Sequence, residues 1–319
     1  MITVLIPDNV DQKAIDLLGK YDGLEVLAPG KLSQDDLIAQ VGSANALIIR
    51  SGVKITPEVF EAAPNLKAIA RAGVGVDNID LEAATKHGVV VMNTPGGNTI
   101  STAEHTFGLM LALARHLPQG NSSLNEGRWD RKKYVGVELK GKTLGLLGFG
   151  RIGQAVAIRA KAFEMHVIAY DPFLIDDVFV NLGVERVDTD ALYARADFIT
   201  LHAPATEDTN GMINSDSIAK MKDGVRIVNA ARGVLINDAD LALGLESGKV
   251  AGVALDVYVE EPPAAEHPLL KFDNVINTPH LAASTTDAQV TVAVEAAELI
   301  ADALLNQNYT NVVNKGVLV

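Results

Sequence analysis

Three glycines, Gly148, Gly150 and Gly153, stand in G-x-G-x-x-G spacing within TLGLLGFGRIGQAVAIRAKAFEMHVIAYD, residues 143–171. An apolar run at 144–147 precedes them and suits a buried parallel strand. A helical pattern follows, with Ile152, Val156, Ile158 and Phe163 among its apolar positions, and a second apolar run ends at Asp171. Each part has a physical task. Gly148 allows a tight turn, Gly150 lets a pyrophosphate approach the backbone, and Gly153 lets the helix pack on the strand. The helix N-terminus offers N–H groups to phosphate oxygens. Asp171 falls near the ~20-residue distance at which an acidic residue meets the ribose hydroxyls. The stretch therefore predicts a dinucleotide site.

A second set of reactive residues lies further on. Arg232 follows VRIVNAA, Glu260 and Glu261 follow GVALDVYV, and His280 follows NVINTP. Ligands of doubly wound sheets bind outside the carboxyl ends of the strands. An arginine, a carboxylate and a histidine, each after a strand, form a usable set for oxidising an alcohol. Histidine suits the base that takes the hydroxyl proton, since its charge changes near neutrality. A carboxylate on the far ring nitrogen fixes the tautomer and stabilises imidazolium. Arginine grips a substrate carboxylate bidentately.

These residues need a scaffold, and the rest of the chain supplies one. Residues 1–94 alternate apolar runs (ITVLIP, LEVLAP, ANALIIR, LKAIARAG, VVVMNTP) with helical segments near 12–20, 34–41, 57–63 and 81–87. That alternation predicts a parallel sheet with helices on both faces. Residues 98–117 read as one long, Ala-rich helix, interrupted by Glu104, His105 and Arg115; the more polar stretch 121–141 carries Trp129 and the basic run Arg131-Lys132-Lys133. Later strands read DFITLHAP, VRIVNAAR, VAGVALDVY and NVINTPH, separated by helical stretches near 190–195, 215–221 and 238–247. A last amphipathic helix covers about 285–305, and the tail 309–319 is long enough to return to the first domain. The expected fold class is α/β, with two doubly wound parallel-sheet domains and a cleft between them. The expected boundaries are 1–97 with 286–319 for a discontinuous, flavodoxin-like substrate domain, and 98–285 for an inserted Rossmann domain.

The chain has 319 residues, 48% of them hydrophobic, so two cores can be filled. Its formal net charge of −13 argues against general nucleic-acid or anionic-membrane binding. No apolar run is long enough for a bilayer. Pro7 and Asp8 interrupt the start where a signal peptide would still be apolar, so no leader is expected. There is no cysteine, which excludes disulfide and thiolate chemistry and is compatible with a reducing cytoplasm. No residue cluster suggests a metal.

The whole chain resembles the D-isomer-specific 2-hydroxyacid dehydrogenases. The motifs that carry this are RAGVGVDNID, NTPGGNTISTAEHTFGLMLALAR, GKTLGLLGFGRIG, VNAARG, ALDVYVEEPP and NTPHLAAST. The resemblance implies NAD as cofactor and 3-phosphoglycerate, or a related hydroxy acid, as substrate. It implies Arg232 as binder of the substrate carboxylate and carbonyl. It implies Glu261, rather than Glu260, as partner of His280, the acid/base. Arg50, Asn98 and the backbone of Val74-Gly75 match substrate-side positions. Cofactor contacts are implied at Arg151, Ile152, Asp171, His202, Ala203, Pro204, Ala230, Asp256 and Ala282. Two departures, Val74 for a small polar residue and Ala282 for a glycine, touch fine contacts rather than the reaction. His87, His105, His116, His166 and His267 are read as structural or solvent-exposed. A phosphate would need local cations, for which Arg50, Arg71 and the 131–133 run are available; Arg131 of a neighbouring subunit is one expected contact. A homodimer or dimer of dimers in the cytoplasm is expected, without a C-terminal regulatory domain. Two other functions compete: a glyoxylate or hydroxypyruvate reductase, and an NAD-sensing protein like the family's transcriptional corepressors.

Overall fold

The computed structural model describes residues 1–318; the last position of the tail named above lies outside them. The chain divides into two compact units, Met1–Asn98 with the residues from Ser284 onward, and Thr99–Ala283.

The first unit holds five parallel strands, β1 (Ile2–Leu5), β2 (Leu24–Leu27), β3 (Ala46–Ile49), β4 (Ala68–Arg71) and β5 (Val90–Asn93). Their order is β2-β1-β3-β4-β5, the flavodoxin-like arrangement. Side chains alternate across each strand, so one sheet feeds two helical layers. Val4, Ile48, Ala70 and Met92 pack with Leu18, Ala296 and Ile300 on one face. Leu5, Leu47, Ile49, Ile69 and Val91 pack with Leu37, Val59 and Phe60 on the other. Asp11, Ser33 and Asp80 cap the helices Gln12–Leu18, Gln34–Gln40 and Leu81–Lys86 by accepting backbone N–H bonds. The long helix Thr286–Asn306 belongs to the first layer. The tail then fastens onto edge strand β5: Asn314 accepts from Val91 N (2.8 Å) and donates to Val89 O (2.9 Å).

The second unit holds seven parallel strands: β6 (Thr143–Leu147), β7 (His166–Tyr170), β8 (Glu185–Arg186), β9 (Phe198–Leu201), β10 (Val225–Asn229), β11 (Val250–Leu255) and β12 (Val275–Asn277). The order is β12-β11-β10-β9-β6-β7-β8. The chain leaves β6 toward β7 on one side and returns to β9 on the other. The end of β6 is thus the switch point where nucleotides bind in such sheets.

Two details differ from the sequence reading. The helix expected over 98–117 stops at Arg115, and a second helix, Leu117–Asn125, begins at the end of that span and runs into the stretch read as more polar. His116 takes a left-handed backbone (φ 52°) between them, and Pro118 occupies the first turn, where a missing N–H costs nothing. The two-residue strand β8 is an addition, too short to show periodicity in the sequence.

Candidate active site

The glycine loop leaves β6 into a space with no room for side chains. Gly148 has φ 94°, and a Cβ there would lie 2.6 Å from the His202 carbonyl oxygen. A Cβ on Gly153 would press on the Gly148 carbonyl, so the helix Arg151–Ala162 can sit this close only with glycine there. Gly150 differs: a Cβ would meet no atom within 4 Å. It caps the helix without any side-chain hydrogen bond. Gln154 N bonds back to Gly150 O (2.9 Å), so the amides of the preceding turn, including Arg151 and Ile152, point out of the helix end. Open space over Gly150 and an uncapped helix N-terminus fit a pyrophosphate.

Asp171 ends β7 beside this loop. Its Oδ2 accepts from Phe149 N (2.9 Å) and its Oδ1 from Phe173 N (3.0 Å). Each oxygen keeps lone-pair capacity for a ribose hydroxyl. Arg186, which the sequence did not single out, donates to the Asp171 carbonyl (3.1 Å) while paired with Asp176 (2.6 Å). The opposite wall is the loop after β9. His202 N bonds Leu147 O (2.7 Å), and its ring Nε2 meets Thr200 Oγ1 (3.0 Å). Burial pushes this imidazole down to about 4, so it is neutral at physiological pH. Ala203 follows partly buried, and the Pro204 carbonyl accepts from Thr209 Oγ1 (2.6 Å).

Arg232 stands just beyond β10. Buried Asn229 shapes its loop, accepting from Ala231 N (3.0 Å) and donating to Arg232 O (2.8 Å). Ala230 between them is buried. A Cβ on Gly233 would collide with the backbone of Tyr258 and Val259. That glycine lets the Arg232 loop meet the segment that carries the glutamates.

Of the two glutamates, Glu261 reaches the histidine. Its Oε2 lies 2.7 Å from His280 Nδ1, and its Oε1 accepts from Tyr258 N (3.1 Å). Glu260 is exposed. A carboxylate can only accept, so Nδ1 carries the hydrogen, and Nε2 is the nitrogen that exchanges a proton. Half of the His280 side chain is exposed (50%).

His280 has a left-handed backbone, φ 54°, uncommon for a residue with a Cβ. Asp256, fully buried, holds the chain around it. Its Oδ1 accepts from Leu281 N (2.8 Å) and Thr278 Oγ1 (2.5 Å), and its Oδ2 from Ala282 N (2.8 Å). His105 Nε2 approaches Asp256 Oδ1 at 3.2 Å. Burial would raise the Asp256 carboxyl, but the bonds from His105, Thr278, Leu281 and Ala282 outweigh it and hold the carboxyl below its ordinary value. In this structure Asp256 and Ala282 meet each other.

The predicted substrate-side residues Arg50, Val74, Gly75 and Asn98 lie in the first unit. Arg50 follows β3, with its N–H on Asp8 Oδ2 (3.0 Å) and Nη1 on Asn9 O (3.2 Å). Val74 and Gly75 follow β4, where the Val74 carbonyl accepts from Asn93 Nδ2 (2.6 Å). Asn98 closes the first segment of that unit, its Oδ1 buried without a hydrogen-bond partner. Arg131, Lys132 and Lys133 are exposed on the second unit. Among the described residues, no group of His, Cys, Asp and Glu is arranged to hold a metal. No helix there is long and apolar enough to cross a membrane.

Comparison with known proteins gives the family. The chain is 51% identical over 98% of its length to D-3-phosphoglycerate dehydrogenase of Archaeoglobus fulgidus, and spans 59% of that relative. Similar folds include the TT0316 protein of Thermus thermophilus, with a TM-score of 0.89, 35% identity, and coverage of 98% of this chain and 100% of that one. A glyoxylate reductase from Paecilomyes thermophila also gives 0.89, at 29% identity and 98% coverage of both chains. Residues 107–282 match the profile described as D-isomer specific 2-hydroxyacid dehydrogenase, NAD binding domain. With its glycine loop, Asp171 and the Glu261–His280 pair in place, the chain belongs to the D-isomer specific 2-hydroxyacid dehydrogenase family.

Proposed function

We propose that the protein oxidises D-3-phosphoglycerate to 3-phosphohydroxypyruvate with NAD, the opening step of phosphorylated serine synthesis. The observation that carries the chemistry is the 2.7 Å contact between His280 Nδ1 and Glu261 Oε2. It leaves Nε2 to take the proton of the substrate hydroxyl, while the anionic Glu261 stabilises the imidazolium that forms. Arg232 grips the substrate carboxylate and polarises the oxygen that becomes the carbonyl. Bound NAD supplies the acceptor for the hydride that leaves carbon. The loop 148–153 and Asp171 hold that cofactor, with Arg151, Ile152, His202, Ala203, Pro204, Ala230, Asp256 and Ala282 around it. Arg50, Val74, Gly75 and Asn98 act on the substrate side.

The choice of substrate is supported by the relative from Archaeoglobus fulgidus, whose identity extends over nearly all of this chain. The same residues run backward would reduce glyoxylate or hydroxypyruvate, and the Paecilomyes thermophila structure favours keeping that reading as the alternative. A steady-state screen of hydroxy and keto acids with both nicotinamides separates them. The proposal requires the highest kcat/KM among hydroxy acids for 3-phosphoglycerate; a larger value for glyoxylate reduction overturns it.

A homodimer in the cytoplasm belongs to the same proposal. Leu117, Leu124, Trp129 and Val135 are exposed close together in the sequence, on and after one short helix, and exposed apolar side chains of this kind support an interface between two copies. Light scattering on the purified protein checks the mass.

A further inference from the structure

We infer that His105 is a positioning residue for the acid/base step, acting through Asp256 on the backbone of His280. This deepens the dehydrogenase reading and rests on it.

His105 lies on the helix Thr99–Arg115, far in sequence from the loop that carries His280. Most of that helix's inward residues are apolar or small: Ala103, Phe107, Met110 and Leu113 enter the core. His105 instead turns its Nε2 toward two oxygens, Asp256 Oδ1 at 3.2 Å and Thr278 Oγ1 at 3.3 Å. Asp256 can only accept, so Nε2 carries a hydrogen and points it at this pair. Thr278 in turn donates to Asp256 Oδ1 at 2.5 Å.

The consequence concerns the three residues around His280. Thr278 precedes it by two positions, and Leu281 and Ala282 follow it directly. All three bond to the one carboxylate. His280 N also closes on Thr278 O at 3.1 Å. The chain is therefore pinned on both sides of His280, and the left-handed φ of 54° is the conformation that satisfies those bonds. Such a conformation is strained for a residue with a Cβ and persists only when its surroundings over-determine it.

A fully buried carboxylate carries a large desolvation penalty unless it is richly bonded. Its Oδ1 accepts from Thr278 and Leu281, and His105 is the ionisable donor among its partners. Without His105 the carboxylate is less well satisfied, and its lowest-cost responses are to take up a proton or admit water. A protonated Asp256 loses one acceptor position, which releases one of its amide partners and loosens the turn. The His280 ring would then no longer hold one direction relative to Glu261. A general base displaced by a fraction of an ångström loses rate rather than substrate affinity.

The test is a double-mutant cycle in the full chain. His105→Leu should lower kcat about 10-fold, with KM for the hydroxy acid changed less than 2-fold. His105→Gln, whose amide can donate to the same oxygens, should recover most of that loss. In the His280→Ala background, His105→Leu should produce no further loss, because the residue it positions is gone. A purely structural role predicts the opposite, an equal loss in both backgrounds. Thr278→Val offers a second entry to the same cycle should His105→Leu fold poorly: it removes a bond to the same carboxylate and should likewise be silent without His280. If His280→Ala itself keeps full activity, the dehydrogenase reading fails. If His280→Ala is impaired but His105→Leu keeps wild-type kcat, or its loss is additive, only the positioning role is overturned.

Discussion

The carboxylate of Glu261 is held from two sides, its Oε1 by the Tyr258 amide at 3.1 Å and its Oε2 by His280 Nδ1 at 2.7 Å. A group fixed this way cannot be exchanged with its neighbour Glu260. His280→Ala should lower kcat roughly 100-fold or more, the scale of general acid–base catalysis. Glu261→Gln should keep NAD binding but move the pH profile of kcat/KM, since imidazolium loses its anionic partner. Glu260→Gln should be nearly silent in both measurements; a pH effect larger than that of Glu261→Gln would show that the wrong glutamate has been assigned.

The glycines of the nucleotide loop should separate into two kinds. Gly148→Ala places a Cβ 2.6 Å from a carbonyl at φ 94°, so it should destabilise the fold by about 1–3 kcal/mol in urea titrations. Gly150→Ala meets open space at φ −67° and should leave urea stability nearly unchanged. It should instead weaken NAD binding about 10-fold or more, because the added methyl occupies the space a pyrophosphate needs. Equal stability losses in the two variants would contradict the division.

Cofactor choice should favour NAD over NADP, because the Asp171 carboxylate would repel a 2′-phosphate. Arg186 is the nearby cation, yet Asp176 already engages it at 2.6 Å. Asp171→Ala should narrow the preference, read as the ratio of kcat/KM for the two cofactors. Comparable efficiency of the wild type with both would sink the assignment.

The half-buried, desolvated imidazole of His202 makes stability depend on pH. In the fold it stays neutral down to about 4, whereas in the unfolded chain it takes a proton near 6.5. Between those values the unfolded state binds more protons, so stability falls as pH drops through that window. One such group contributes a slope of up to about 1.4 kcal/mol per pH unit. His202→Asn should flatten that part of the profile, measured by urea midpoints at several pH values. An unchanged slope would show that His202 is solvated in the fold.

With a net charge of −13, the protein would have to attract the proposed phosphorylated substrate by local cations. Arg50→Ala should reduce kcat/KM for 3-phosphoglycerate roughly 10- to 150-fold, the cost of a lost charged hydrogen bond. The same variant should leave glycerate nearly unaffected. Arg131→Ala should do likewise if a neighbouring subunit supplies that side chain. Equal slowing of both substrates by both variants would remove the phosphate assignment.

Much of this is legible in the sequence, for physical reasons. Strands such as TLGLL and ALII are buried on both sides and therefore read as continuous apolar runs. The G-x-G-x-x-G spacing is visible because backbone crowding at Gly148 and Gly153 permits nothing else. Arg232, Glu261 and His280 stand out as candidates because ligands of doubly wound sheets bind beyond the strand ends that these residues follow. The choice between Glu260 and Glu261 is a different matter, since adjacent residues share a composition and differ only in direction. Resemblance favours Glu261, and the loop geometry puts its carboxylate on His280. The break at His116 is hidden because a left-handed residue in an apolar helical pattern leaves no periodic trace. His105 reads in the sequence as structural or solvent-exposed, because its partners Asp256 and Thr278 lie far along the chain. Local pattern therefore determined which elements form and which residue types stand at their ends. Contacts between residues distant in the chain determined which of them meet, and only the tertiary structure decides that.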